Sequence, residues 1–441
     1  MQAAWPRCAS ATALATITGV SGVNPISSLL DQLDASPTAH HVVDWWRKQL
    51  LEAGFSDCSL HGTFSGTLSA DSGFITRGGA IIAWKVPQNS LHQGFRIVGA
   101  HSDSPGLHIK PQPDKRFATQ SLLGVEIYGG PLLNSWLDRD LGIAGHVVLQ
   151  DGSTKLFKSS TPVARISQLA IHLDRDVNDK GLVLDRHQHL NALWLTSDNG
   201  LIFDQWMSQQ CGIDLSQIVA SSAQLFDIQK ASLVGADNSL LASARLDNQA
   251  SCWAAMTALI QQRSPVAPSV VALFDHEEVG SSSATGAAGP LLEHVLERLC
   301  IAAGFSRQDF INTLAKSHCI SADNAHAVHH NYPERHDTNH SPLINQGVVI
   351  KSNVSQRYAT SSTSIAPFVD ACTKAKVPIQ YFASRNNIAC GSTIGPITAT
   401  RLGIDTIDVG IPQLSMHSAR EVCGTQDPIF LRDALQSYFA R

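Results

Sequence analysis

A short apolar run that ends in two adjacent carboxylates constrains this chain more than any other stretch. Pro268-Ser-Val-Val-Ala272 continues into Leu273-Phe274-Asp275-His276-Glu277-Glu278-Val279-Gly280. An unbroken apolar run of this length predicts a strand buried on both faces, the condition of a parallel sheet covered by helices. Gly280 and Ser281-Ser282-Ser283 then turn the chain into a loop. The two glutamates therefore stand just past a strand's C-terminal end, the edge at which open α/β sheets carry their ligands. Neighbouring residues there point in different directions, so one carboxylate can ligate a metal while the other faces water as a general base. An isolated Glu-Glu pair is ordinarily a solvated turn. Here apolar residues and glycine bracket it, and further candidate ligands occur along the chain.

The chain has 441 residues, more than one typical core organises, which predicts two domains. With 43% hydrophobic and 16% charged residues it is a folded globular sequence, and a net charge of −5 offers no electrostatic basis for binding nucleic acid. No apolar run is long enough to span a bilayer. Met1 to Asn24 lacks a basic start and a sustained apolar core, so it reads as a peripheral extension and not as a signal peptide. Nine cysteines without a C-x-x-C pair point to reduced thiols in a cytoplasmic setting.

Two helices are expected early, one through Ile26, Leu29, Leu30 and Leu33, the next opening at Ser36-Pro37-Thr38 and stopping at Gly54. Strands follow over Gly79 to Val86 and Gln93 to Ala100. The second delivers His101 and Asp103, which share a face of extended chain and suit a ligand with the carboxylate behind it; Pro105-Gly106 closes the strand. Between residues 110 and 242 helical periodicity is scarce. Short β-like runs (123–128, 143–149, 225–228) alternate with turns, and the stretch is too long for a loop. It predicts an inserted β-rich domain of the kind that serves oligomerisation. Within it, Leu169 to Leu173 reads as an apolar strand with a lone histidine, His172, which on its own would be a packed residue.

Strand and helix alternate again over residues 243–441. Asp247 heads a helix, a strand over 317–322 delivers Asp323 and His326, and a strand over 347–351 ends in Lys351. Helices are expected over 361–376, 392–402 and 425–439, the last capped by Thr425 or Asp427, and a strand over 406–411 leads to His417. The fold class is thus α/β: a mostly parallel central sheet flanked by helices, built from residues 1–109 and 243–441 and interrupted by the insert 110–242.

Five residues at strand ends and loops carry ligand chemistry: His101, Asp247, Glu278, Asp323 and His417. Two imidazoles and three carboxylates suit a pair of borderline divalent ions with one carboxylate shared. Such a pair activates water and polarises a carbonyl, while Glu277 accepts the water's proton and returns it to the leaving amine.

This set, in this order, closely resembles the aspartyl aminopeptidase family of co-catalytic zinc metallopeptidases. The matching stretches are Ala100-His-Ser-Asp-Ser-Pro105, Ala244-Arg-Leu-Asp-Asn248, Phe274-Asp-His-Glu-Glu-Val-Gly280, Ser321-Ala-Asp-Asn-Ala-His-Ala-Val-His329 and Leu414-Ser-Met-His-Ser418. The resemblance runs from about Pro25 to the C-terminus. It implies two Zn2+ per subunit, with Mn2+ or Co2+ as an alternative at one site. His101 and Asp323 would hold one ion, Glu278 and His417 the other, with Asp247 bridging. Glu277 would be the base and Asp103 the support of His101. The resemblance further implies that the insert is a dimerisation domain, that dimers build larger assemblies up to a dodecamer, and that His172 reaches into a neighbour's active site. Lys351, with Tyr358 and His326 nearby, would face the acidic side chain of a peptide beginning with Asp or Glu, since a neutral one leaves the charge unpaired. Alternatives are a neutral-residue aminopeptidase, an acylase or carboxypeptidase on the same scaffold, and a non-catalytic assembly or cargo protein. Glu277 and the five ligand candidates speak against the last.

Overall fold

A computed structural model describes residues 25–60, 72–196, 200–263 and 265–441; the extension read over Met1 to Asn24 lies outside them. Nine strands form the central sheet, in the order Ser56–Asp57, Ser72–Arg77, Ala80–Lys85, Ser269–Phe274, Arg96–His101, His318–Ala322, Asp405–Gly410, Val348–Lys351 and Ile379–Phe382. Four neighbours in the middle, from Ser269–Phe274 to Asp405–Gly410, run parallel. Ala80–Lys85 and Val348–Lys351 flank them antiparallel.

Alternation along each central strand separates two cores. Val98, Ala100, Val271, Leu273, Ile320, Val409 and their like pack against the helices Ser27–Ala35, Ala39–Glu52, Leu246–Gln261, Ser362–Ala375 and Asp427–Phe439. Ile97, Val270, Ala272, Phe274 and Cys319 pack against Leu291–Ala302, Arg307–Leu314 and Ile394–Leu402. Coverage of both faces is why Ser269–Phe274 carries no polar alternation, and each fully buried large side chain contributes about 1.5–3 kcal/mol. The α/β class expected from the sequence is the one observed. Because the four central strands are parallel, their C-terminal ends lie along one edge, which receives His101, the turn after Phe274, and Asp323.

A second sheet is antiparallel throughout, in the order Thr154–Lys158, Leu141–Leu149, Ile218–Asp227, Gly106–Phe117, Gln120–Tyr128 and Ala192–Leu195. Its own core gathers Leu123, Leu141, Ile143 and Leu225 with Phe203, Trp206 and Met207 of the helix Phe203–Cys211. That nine-residue helix is too short to show a period in the sequence. Pro105-Gly106 does not close a strand so much as start another: Gly106–Phe117 pairs on either side of a register shift between Ile109 and Asp114, where two prolines interrupt the ladder. Leu169 to Leu173 is not a strand either. It is a solvent-exposed segment that turns at Ile171–Leu173, with Leu173 75% exposed. At the C-terminal helix neither Thr425 nor Asp427 caps the first turn; Asp427 accepts instead from the backbone N–H groups of Asn345 and Gly424, at 2.9 and 3.1 Å.

A third, five-stranded sheet was not anticipated. It orders Ser232–Val234, Leu240–Ser243, Glu421–Gly424, Pro412–Leu414 and Ala325–His326 beside the C-terminal edge of the central sheet. Among the described residues no helix is long and apolar enough to cross a membrane.

Candidate active site

Five side chains expected from the sequence converge at that edge. His101 Nε2 lies 3.4 Å from Asp247 Oδ1 and 3.6 Å from Asp323 Oδ1. His417 Nε2 lies 3.5 Å from Asp247 Oδ2 and 3.4 Å from Glu278 Oε1. These distances define two ligand triplets, His101-Asp247-Asp323 and Asp247-Glu278-His417, with one Asp247 oxygen turned to each, and a third group, His101-Glu277-Glu278, lies against them. The spacings are long for hydrogen bonds, which centre near 2.9 Å. They match two donors bound about 2.1 Å from one tetrahedral ion, which stand about 3.4 Å apart. Asp247 Oδ1 and Glu278 Oε1 are buried and make no hydrogen bond.

Each ligand is aimed by local chemistry. His101 ends its strand, and its Nδ1 lies 3.0 Å from the Asp103 carbonyl, which can only accept; Nε2 is thereby left for Asp247 and Asp323. His417 is set the same way by Nδ1 at 3.1 Å from the carbonyl of Gly130. Asp247 sits in a non-helical step at the head of Leu246–Gln261 and caps nothing there. Ser104 Oγ holds its carbonyl at 2.7 Å. Glu277 and Glu278 open a short helical turn after left-handed His276, and their N–H groups donate to the two oxygens of Asp103, each at 3.1 Å. Asp323 leaves the strand His318–Ala322 beside Gly410, where any side chain would run into the Asp323 backbone.

Sequence reasoning missed three contributors. Glu421 is buried and accepts from Asp247 N–H at 2.9 Å and His417 N–H at 2.6 Å, fixing two ligands with one carboxylate. Its one signal was a position four residues after His417. Tyr128 donates its hydroxyl to Asp103 at 2.8 Å, and the Gly130 carbonyl orients His417; both lie in or just beyond the antiparallel sheet, so that sheet completes the site.

Residues 32–439 match the model of a family described as "Aminopeptidase I zinc metalloprotease (M18)". The chain belongs to the M18 family of zinc aminopeptidases. It is 45% identical over 418 residues to the "Probable M18 family aminopeptidase 2" of Streptomyces coelicolor, covering 93% of this chain and 96% of that protein. The protein of the same description from Mycobacterium tuberculosis is 42% identical over 424 residues, covering 93% and 97%. Among solved structures, the chain in a cryo-EM structure of an Ape4 and Nbr1 complex superposes with a TM-score of 0.90 at 34% identity, covering 94% of this chain and 85% of that one. The S. cerevesiae mApe1 dodecamer gives 0.81 at 28% identity, covering 94% and 95%.

The residues present fit the zinc of the M18 family. Burial disfavours charge throughout the cluster, and the groups share protons in response. Burial pulls His101 down, but the carboxylates of Asp103, Asp247 and Asp323 around it prevail and hold it well above the ordinary imidazole range. His417 is raised to about 10 against burial, chiefly by Asp247 and Glu278. Glu277 is pushed up to about 7, first by burial and then by the charges of Asp323, Asp247 and Asp103. Burial and the Asp247 charge raise Glu278 well above its usual value. A cluster that recruits protons onto both imidazoles is short of positive charge, and divalent cations supply it.

The ligands line a cleft of about 360 Å³ whose wall also carries Lys351, Tyr358 and His326. Lys351 is 2% exposed; its Nζ lies 3.5 Å from Asp323 Oδ2, donates to the Asn324 carbonyl at 3.2 Å and sits 5.1 Å from the Tyr358 ring centre. His172 does not line the cleft; it stands on the exposed turn Ile171–Leu173.

Proposed function

We propose that this M18 aminopeptidase removes the N-terminal residue of peptides with a preference for Asp or Glu, using two zinc ions. Asp247 supports the dinuclear reading, because its two oxygens serve two separate triplets. His101 and Asp323 would hold one ion, Glu278 and His417 the other. Zinc supplies Lewis acidity, which polarises the scissile carbonyl and lowers the pKa of water. Glu277 takes the proton from the attacking water as its oxygen bonds to the carbonyl carbon. As the C–N bond breaks, Glu277 returns that proton to the departing amine. Asp103 is a positioning residue: it holds the backbone of Glu277 and Glu278 and backs His101. Lys351 carries the substrate preference, as a buried cation in the cleft wall with Tyr358 and His326 beside it.

The insert, residues 110–242, would serve dimerisation, and dimers would assemble further, up to the dodecamer recorded for mApe1. The exposed apolar segment around His172 suits a subunit contact that carries His172 to a neighbouring cleft. Eight described cysteines are unpaired, in keeping with a reducing, cytoplasmic setting.

The decisive measurement is kcat/KM on Asp-, Glu- and Leu-p-nitroanilides for the wild type and Lys351→Met. The acidic anilides should be preferred, and the substitution should cost them on the order of a hundredfold more than Leu-anilide, the loss expected when one partner of a buried charge pair is truncated. A wild type that prefers Leu-anilide is a neutral aminopeptidase.

A further inference from the structure

Two chambers lie side by side at the outer strand Ala325–His326 and share part of their walls. The first is the cleft holding the ligand cluster and Lys351. The second, of about 370 Å³, lies beyond His326, Tyr358, Gly391 and Met416, which line both. The N-terminal residue of a substrate has no chain upstream of it. Once its side chain lies against Lys351, the rest of the peptide has to leave the first chamber, and the side shared with the second chamber is one way out.

The chemistry of the second chamber suits a carboxylate. Phe382, Ile388 and Leu414 give it an apolar lining, and its charged groups are Arg335, Arg385 and Asp337. Asp337 is already engaged, by His340 Nδ1 at 2.7 Å and the Asn339 N–H at 3.0 Å. Arg385 donates to the Glu334 backbone carbonyl, a neutral acceptor that leaves its charge uncompensated. Arg335 meets the Glu334 carboxylate only at 3.8 Å with both side chains well exposed, a weak pairing in water. With two arginines against one aspartate, the lining carries one positive charge in excess. Its edge also offers backbone: Ala325 and Ala327 donate to Ile411 and Gln413, so alternation turns the N–H and C=O of His326 away from the sheet. Among the described residues no strand pairs beyond His326 in this sheet, which leaves an edge to which an extended peptide can add.

We propose that the second chamber receives the substrate just downstream of the scissile bond and favours a carboxylate there, either an acidic side chain or the free C-terminus of a dipeptide. The inference rests on the aminopeptidase reading above. Its test is a series of amidated dipeptides, Asp-Glu, Asp-Ala and Asp-Arg, together with Asp-Ala as the free acid. Each kcat/KM is expressed relative to Asp-p-nitroanilide, which has no downstream residue. The wild type should favour the Glu amide over the Arg amide by roughly tenfold, as two exposed charge contacts change sign. In the double variant Arg335→Ala, Arg385→Ala the ratio should fall to about one. Preference for the free acid over the Ala amide would assign the carboxylate to the C-terminus, and preference for the Glu amide alone would assign it to the side chain. Equal rates across the series in the wild type, or an undiminished ratio in the double variant, would overturn the inference while anilide turnover keeps the aminopeptidase reading intact. Loss of anilide turnover by the wild type would remove that reading itself.

Discussion

Glu277 and Glu278 share one turn and one anchor, Asp103, and both carboxylates reach the cluster. Glu278 Oε1 lies 3.4 Å from His417, a contact that Glu277 does not share, while both glutamates group with His101. A base and a ligand can therefore be separated by substitution. Glu277→Gln keeps the volume and removes the proton acceptor. Zinc content by mass spectrometry should be unchanged while kcat falls by about 10²–10⁴, the usual contribution of general acid–base catalysis; an unchanged kcat would exclude the base role. Glu421 poses the complementary case. It touches no substrate but accepts from the backbone of Asp247 and of His417, and an amide in its place would turn a donor toward one of these N–H groups. Glu421→Gln should weaken zinc binding by about 10–100-fold in chelator competition, the range seen when an outer partner of a metal ligand is lost. Wild-type affinity in that variant would reduce Glu421 to a packing role.

At the scale of elements, the same contrast separates what the sequence disclosed from what it hid. Strands such as Ser269–Phe274 were legible because burial on both faces writes an unbroken apolar run, and the ligands were legible because they stand where those runs stop. Gly130 and Tyr128 were not: they are 287 positions from His417 and 25 from Asp103, and nothing in a Tyr or a Gly reports a partner that the fold brings from elsewhere. The third sheet was hidden for a like reason, since its strands of two to four residues are too short for a period to appear. Leu169 to Leu173 misled in the opposite sense. Its apolar residues imitate a buried strand, yet Leu169 and Leu173 are 57% and 75% exposed. Apolar side chains held out on a turn call for a surface to cover them. If that surface is a neighbouring subunit and His172 completes its cleft, His172→Ala should lower kcat by at least about tenfold with zinc content unaltered. Full activity in the variant would leave the turn a role in assembly alone.

The antiparallel sheet meets the central layer at a junction lined with histidine. His40, on the helix Ala39–Glu52, stacks on His146 of the strand Leu141–Leu149 with ring centres 3.9 Å apart. His108, Tyr128, Arg245 and His276 close the same small cavity behind Asp103. Burial, then the neighbouring imidazoles His146 and His276, lowers His40 from 6.5 to about 4; burial also lowers His108 to about 4 and brings His146 down. Above about 6.5 these rings are neutral in folded and unfolded chain alike. Between 6.5 and about 4 the unfolded chain takes up protons that the folded junction refuses, so the unfolding free energy drops as the pH falls through that window. The consequence reaches the active site, because the sheet being loosened supplies Tyr128 to Asp103 and adjoins the Gly130 carbonyl that orients His417. Thermal unfolding at about pH 7 and about pH 5 should therefore show a marked loss of Tm in the wild type and a smaller one in His40→Gln, His146→Gln, whose side chains do not titrate. An equal loss in both proteins would place the acid sensitivity elsewhere than this junction.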